Sequence, residues 1–240
     1  NAQDKGHWIV DSLIANPMSA YPKYKQSRAS FGKNFMDNII VEVEASNGTV
    51  GLSLGQGGVP VCYMIEKHFK RFLVGQDPRQ LNQFWDQMYR ASLFYGSKGL
   101  PLWAISAVDL ALWDLLGILR QEPVYQMIGG ATRDEIELYC TGIRPDLAKE
   151  AGFVGGKMPL PHGVSDRKDG LNNNVEIFRQ MRELVGPNFY LMADCWMALD
   201  VPYAVELAYA MREVDLYWLE EVLPPEDFDG LKLLKERAPF

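Results

Sequence analysis

Apolar and polar positions first alternate with a period of two in NIIVEVEASNGTVGLSL, residues 38–54, where two β-rich runs flank Asn47-Gly48. A period of two suits a half-buried strand, and Asn-Gly accepts the positive φ of a tight turn, so this stretch predicts a β-hairpin. The period then lengthens. Val61 to Val74, Gln80 to Tyr95 and Trp103 to Arg120 carry apolar residues at helical spacing, each over three or more turns. Pro123 opens a shorter helix over VYQMI, and Gly129-Gly130 supplies the backbone freedom for a sharp exit. Beyond that pair, short apolar runs (IELYCTGI, GFVGGKM, NFYLMADCWM and LYWLEEVL) alternate with helical patterns, the rhythm of a parallel βαβ series. The helix before the last run is expected to start at Asp200, an N-cap ahead of Val201-Pro202, and to bury a stripe of Val201, Val205, Ala208 and Met211. The change of rhythm divides the chain into an α+β region, 1–130, and an α/β region, 131–240.

Two acids finish apolar runs in the second region. Phe189 to Ala193 delivers Asp194, and Leu216 to Leu219 delivers Glu220. A carboxylate at the carboxyl end of a parallel strand sits on the face where α/β folds build their sites. One αβ unit separates the two, so their strands are expected to be neighbours and their acids within reach of one hard cation such as Mg²⁺. An acid after a strand also serves as a helix cap, but Asp200 already holds that role for the following helix, which leaves Asp194 available. Glu221 competes with Glu220, because adjacent strand residues face opposite ways. Four parallel units alone fit an open sheet or part of a closed (β/α)₈ barrel, and the strand-end acids favour the barrel.

Composition narrows the chemistry. With 48% hydrophobic and 23% charged residues the chain has material for a packed core, which argues against disorder. A formal net charge of -7 offers no field for a phosphate backbone, so nucleic acid is not an expected partner, and an anionic substrate would need a local cation. Cys62, Cys140 and Cys195 form no CxxC pair, so neither a zinc site nor a redox motif is expected and a reducing cytoplasm fits. The first residues lack a secretory pattern, and no run of about 18 apolar residues is read as a membrane span.

A third-strand Asp and a fourth-strand Glu in WLEE, behind an α+β region containing VDLALWDLLG and VYQMIGG, resemble the enolase superfamily. HWIVDSLIANPMSAYP, SRASFG, RPDLAKEAGFVGGKMPLPHG, ADCWMALDV and WLEEVLPPEDFDG narrow the likeness to its sugar-acid dehydratases, in the mandelate racemase-like subgroup, and span essentially the whole chain. That resemblance implies an α/β fold: a partial (β/α)₈ TIM barrel, 131–240, preceded by an α+β capping domain, 1–130. It implies Asp194 and Glu220 as two Mg²⁺ ligands, with a third, a glutamate ending the fifth strand, beyond Phe240. The subgroup's histidine base and its aspartate partner are likewise expected beyond residue 240, so the chain alone carries an incomplete site and the scaffold of a non-catalytic fragment is the alternative. Arg28 in SRASFG matches a capping-domain arginine that reaches the substrate, where a guanidinium fork suits a carboxylate or polyol. Many relatives carry Lys-x-Lys on the second strand. Here Gly155 stands at the first position and only Lys157 remains, a candidate to bind substrate or polarise the metal-bound carboxylate, or a simple ion-pairing residue at a strand end.

The implied reaction is Mg²⁺-dependent dehydration of a sugar acid such as L-rhamnonate. The α-proton is abstracted, the enediolate is stabilised, and the C3 hydroxyl leaves to give a 2-keto-3-deoxy acid. Another acid-sugar dehydratase or a racemase on the same scaffold is the enzyme alternative. The expected partners are the small-molecule sugar acid and further copies of the chain in a homo-oligomer, an octamer among the options. His7 beside Trp8 is a packed residue or a substrate contact, His68 an expected exposed helix position, and His162 a loop residue at the mouth.

Overall fold

A computed structural model of the chain describes residue 9, residues 12–25 and residues 37–239. Contacts divide the chain into two compact units, Asn34–Asp134 and Asn1–Lys33 with Glu135–Phe240.

The Asn34–Asp134 unit opens with strands β1 (Asn38–Glu44) and β2 (Val50–Gln56), antiparallel from Asn38 opposite Gln56 to Glu44 opposite Val50. The expected turn is present: Gly48 has φ 82°, and the Asn47 side chain accepts from Thr49 N at 3.1 Å. Helices α1 (Gly58–Met64), α2 (Leu81–Ser92), α3 (Leu100–Arg120) and α4 (Val124–Met127) follow. The stretch read as one helix over Val61 to Val74 is instead α1, a π-helical turn at Ile65–Phe69 and a 3₁₀ turn at Lys70–Phe72. That irregular segment carries His68 into a cluster with Phe69, Phe72 and Tyr95. Its Nδ1 meets Tyr95 Oη at 2.7 Å, so it is partly covered and not the exposed helix position expected.

The core of this unit joins Ile39 and Val41 of the hairpin to Val61, Phe69, Phe84, Met88, Ile105, Val108 and Leu112. Helix α3 is long and apolar enough to cross a membrane by length and composition, which the sequence reading had not allowed. Its buried face, Ala104, Ile105, Ala107, Val108, Ala111, Leu112, Leu115 and Leu116, is that of a core helix.

The other unit holds β3 (Tyr139–Thr141), α5 (Pro145–Glu150), β4 (Gly155–Pro159), α6 (Arg167–Val185), β5 (Tyr190–Asp194), α7 (Val201–Ala210), β6 (Leu219–Glu220) and α8 (Phe228–Arg237). The four strands form one parallel sheet in the order β3-β4-β5-β6, joined by helical crossovers. All five residues of β4 are buried, as expected for a parallel strand covered on both faces. One face packs Met158, Leu160, Leu191, Ala193 and Cys195 against Phe178 of α6 and Leu207 of α7.

Asp200 caps α7 as expected, its Oδ1 accepting from Tyr203 N at 2.9 Å. The buried stripe of that helix is rotated from the expected one. Tyr203, Ala204, Leu207 and Ala208 are buried with Met211, while Val201 and Val205 lie at the margin, because the sheet covers the adjacent side. The described part of the N-terminal segment packs on this unit. Ala15 N donates to Leu160 O at 2.8 Å, Ser165 Oγ to Ser19 O at 2.9 Å, and Lys25 pairs with Asp166. Those contacts place 12–25 with the sheet, where the sequence rhythm had grouped it with the hairpin and helices.

Candidate functional site

The site is built by strand alternation. In parallel pairing Lys157 lies opposite Met192 and Pro159 opposite Asp194, and Asp194 in turn lies opposite Glu220. Side chains two apart share a face, so Lys157, Asp194, Trp218 and Glu220 all leave the sheet on the face opposite to Ala193 and Cys195. Their atoms meet. Lys157 Nζ lies 2.5 Å from Glu220 Oε1 and 3.3 Å from Asp194 Oδ2. The outer oxygens are held as well: Trp196 N donates to Asp194 Oδ1 at 3.2 Å, and Trp218 Nε1 to Glu220 Oε2 at 3.0 Å. Tyr139 packs edge-on against Trp218 with centroids 5.4 Å apart, and Lys157 Nζ lies 5.9 Å from the Tyr139 ring centroid.

Asp194 is 8% exposed and Lys157 7%. Burial raises the Asp194 pKa above the ordinary carboxylate value and the charge of Glu220 adds to that, with Lys157 opposing both. Burial by itself would lower the Lys157 pKa, but the hydrogen bond from its ammonium to Glu220 and the charges of both acids outweigh it and hold the group above its usual value. The ion pairs therefore keep a cation in place where solvent is scarce.

Backbone strain gathers at the same strand ends. Trp196, Met197 and Glu221 adopt φ of 49°, 57° and 47°, the left-handed region that residues with side chains seldom enter. Met197 N donates to Glu221 O at 2.5 Å, and Cys195 N to Glu220 O at 2.9 Å, so the two loops that carry the acids are tied together. Glu221 falls in the turn, whereas the Glu220 side chain faces Lys157 and Trp218.

Gly155 has a steric reason to depart from a lysine. A Cβ there would stand 2.8 Å from Tyr190 O and 2.9 Å from Tyr190 Cβ, leaving no room for a side chain. His162 is turned toward Asp166, with Nδ1 3.7 Å from Oδ1, and its backbone is bracketed by Asn174 through bonds of 3.1 and 2.8 Å. Arg28 and His7 lie outside the described residues. Among the described residues no three His, Cys, Asp or Glu side chains gather to hold a metal, so the site offers two carboxylates. Two hard oxygen donors on neighbouring strands fit a divalent cation that retains water among its ligands. Among the described residues a cavity of about 1080 Å³ lies elsewhere, beneath the hairpin, lined in part by Val41, Val108 and Leu112. Its wall includes Glu42, Glu44, Glu66 and Lys70, but all four are exposed, unlike the buried Lys157 and Asp194 that mark the strand ends as the chemical site.

Two family profiles match the chain, one described as "Mandelate racemase / muconate lactonizing enzyme, N-terminal domain" over residues 14–129 and one as "Enolase C-terminal domain-like" over residues 145–240. The chain belongs to the enolase superfamily. An L-rhamnonate dehydratase from Saccharopolyspora erythraea is 54% identical over 237 residues, 99% of this chain and 60% of that protein. The crystal structure of rhamnonate dehydratase from Gibberella zeae complexed with Mg superposes with a TM-score of 0.95 at 52% identity, covering 97% of this chain and 57% of that one. A racemase from Streptomyces coelicolor with bound magnesium is more distant, with a TM-score of 0.75, 32% identity and coverage of 85% and 59%. The chain thus spans about three fifths of the length of these relatives. Within this enolase-superfamily chain the α/β barrel-type sheet and the α+β region preceding it are both present, as the resemblance implied.

Sequence reasoning had not found Trp218 as a partner of Glu220 or the strained turns after the acids. The first had a signal, since Trp218 stands two residues before Glu220 and so shares its face. The second had none, because Trp, Met and Glu are not residues that announce positive φ.

Proposed function

We propose that the protein carrying this chain dehydrates a sugar acid, L-rhamnonate, to 2-keto-3-deoxy-L-rhamnonate with Mg²⁺ held by Asp194 and Glu220, and that Lys157 and Arg28 bind the substrate. The observation that carries this reading is the convergence of Asp194 Oδ2 and Glu220 Oε1 on one point, in a chain 54% identical to an L-rhamnonate dehydratase. The reaction removes the proton on C2 and the hydroxide on C3, and the resulting enol becomes the keto acid with net loss of water.

Bound Mg²⁺ would supply a Lewis acid that offsets the negative charge developing on the substrate carboxylate. The chain's own groups prepare that place. Trp218 Nε1 and Trp196 N fix the outer oxygens of the two acids, so their inner oxygens stay aimed at a common centre. Lys157 brings a buried positive charge next to that centre, a second attraction for an anionic substrate. The base and its aspartate partner are assigned to residues outside 1–240, as is the third metal ligand. The capping domain is proposed at 1–130 and the barrel from 131, a division the profile edges at 129 and 145 support, while contacts group residues 12–25 with the sheet. Cytoplasmic residence and assembly as a homo-oligomer, an octamer among the options, belong to the same proposal. Free Cys62, Cys140 and Cys195 support the first.

The test is product analysis with the full-length enzyme, Mg²⁺ and a panel of L-rhamnonate, L-lyxonate and L-mannonate. A 2-keto-3-deoxy acid from L-rhamnonate is expected, and absence of keto acid from all three refutes the proposal. A racemase would instead return an epimer of the same mass as its substrate. The lack of room for a lysine at Gly155 weighs against that outcome.

A further inference from the structure

The four carboxylate oxygens of the site divide into two kinds. Asp194 Oδ1 and Glu220 Oε2 are engaged by fixed donors, a backbone amide and an indole. Asp194 Oδ2 and Glu220 Oε1 face only the Lys157 ammonium, at 3.3 and 2.5 Å, among the contacts of the described residues. The flexible donor therefore lies against both inner oxygens, where a cation held by the two acids would also have to sit. An ammonium on a four-carbon stem is a mobile point charge, unlike a guanidinium locked to two oxygens, and it is able to withdraw when a stronger cation arrives.

Resting on the reading of Asp194 and Glu220 as the metal's carboxylates, we infer that Lys157 is a built-in counter-ion. It competes with the divalent cation for the inner oxygens of the two acids and so sets how tightly the site takes that cation. Two opposing demands meet here. Two acids this close, one of them buried, repel one another unless a positive charge lies between them, which favours keeping the lysine. The same lysine must give up its contact with Glu220 for a divalent ion to bind and then remains a like charge nearby, which weakens binding.

The measurement is calorimetric titration of MgCl₂ into the metal-stripped full-length protein, native and Lys157→Met, with the melting temperature of each read in EDTA and in saturating Mg²⁺. The expected result is a Kd for Mg²⁺ lower in Lys157→Met by roughly tenfold, from relief of like-charge repulsion. Its melting temperature should fall in EDTA and recover in Mg²⁺. A folded Lys157→Met protein with unchanged or weaker Mg²⁺ binding overturns the inference while leaving the metal site intact. Failure of the native protein itself to bind Mg²⁺ overturns both the site and the inference. Where Lys157→Met does not fold in EDTA, Lys157→Gln is titrated with Mg²⁺ during refolding. Recovery at a Mg²⁺ concentration below the native Kd supports the inference, and no recovery defeats it.

Discussion

At the scale of single residues, the polar groups this protein buries are the most informative. Tyr203 is 8% exposed, and its hydroxyl finds no hydrogen bond of normal geometry among the described residues although Asn174 is near. Burial, with the negative charges of Asp166 and Glu206, pushes its pKa up to about 12 from 10.0. Between those values the folded chain keeps a proton that the unfolded chain has released. The contribution of Tyr203 is therefore complete below pH 10 and is lost as pH rises toward 12, by about 2 to 3 kcal/mol. Urea unfolding at pH 9 and pH 11 should show a larger loss of stability for the native protein than for Tyr203→Phe, which has no hydroxyl to ionise. Equal losses would show that the tyrosine does not govern the alkaline limb.

At the scale of elements, what was legible in the sequence was what neighbouring residues decide among themselves. Asn47-Gly48 forms its turn because the required φ is a property of those two residues, and Asp200 starts α7 because its own side chain reaches Tyr203 N. Replacing Asp200 with Ala should cost about 1 kcal/mol and lower the melting temperature by roughly 2–4 °C, whereas Asn, which also accepts at an N-cap, should cost little. Equal effects of Ala and Asn would remove the cap from the account. The placement of Asp194 and Glu220 was legible for a related reason, since an acid that ends an apolar run must emerge at the strand's carboxyl end. Features that depend on distant contacts were not. The π-helical turn at Ile65–Phe69 answers to packing around Phe69 and His68, and the buried stripe of α7 is set by the sheet it covers. The Lys157 contacts required knowing which strands are neighbours. The sequence suggested an ion-pairing lysine, and the parallel order of β4, β5 and β6 determined its partners.

At the scale of the molecule, each unit encloses its own core, one around Phe84, Met88 and Ile105, the other around Phe178, Leu191 and Leu207. Residues 131–138, which join them, lie outside helix and strand and are exposed throughout. A protease must draw several residues of extended chain into its cleft, so cleavage follows local opening, which is nearly free in this linker and costly within α3 or α6. Limited trypsin digestion should therefore cut after Arg133 before it cuts after Arg120 or Arg182, the first at the end of α3 and the second within α6. Mass spectrometry of the earliest fragments decides the order. Arg182 adds to the contrast, because its guanidinium donates to Val214 O, Gly186 O, Phe189 O and Asp215 O at 2.7 to 2.9 Å, binding α6 to the loops at the amino ends of β5 and β6. Early cleavage after Arg182 would mean that this four-carbonyl clasp opens more readily than a linker without secondary structure, and the view of two separately closed cores would have to be abandoned.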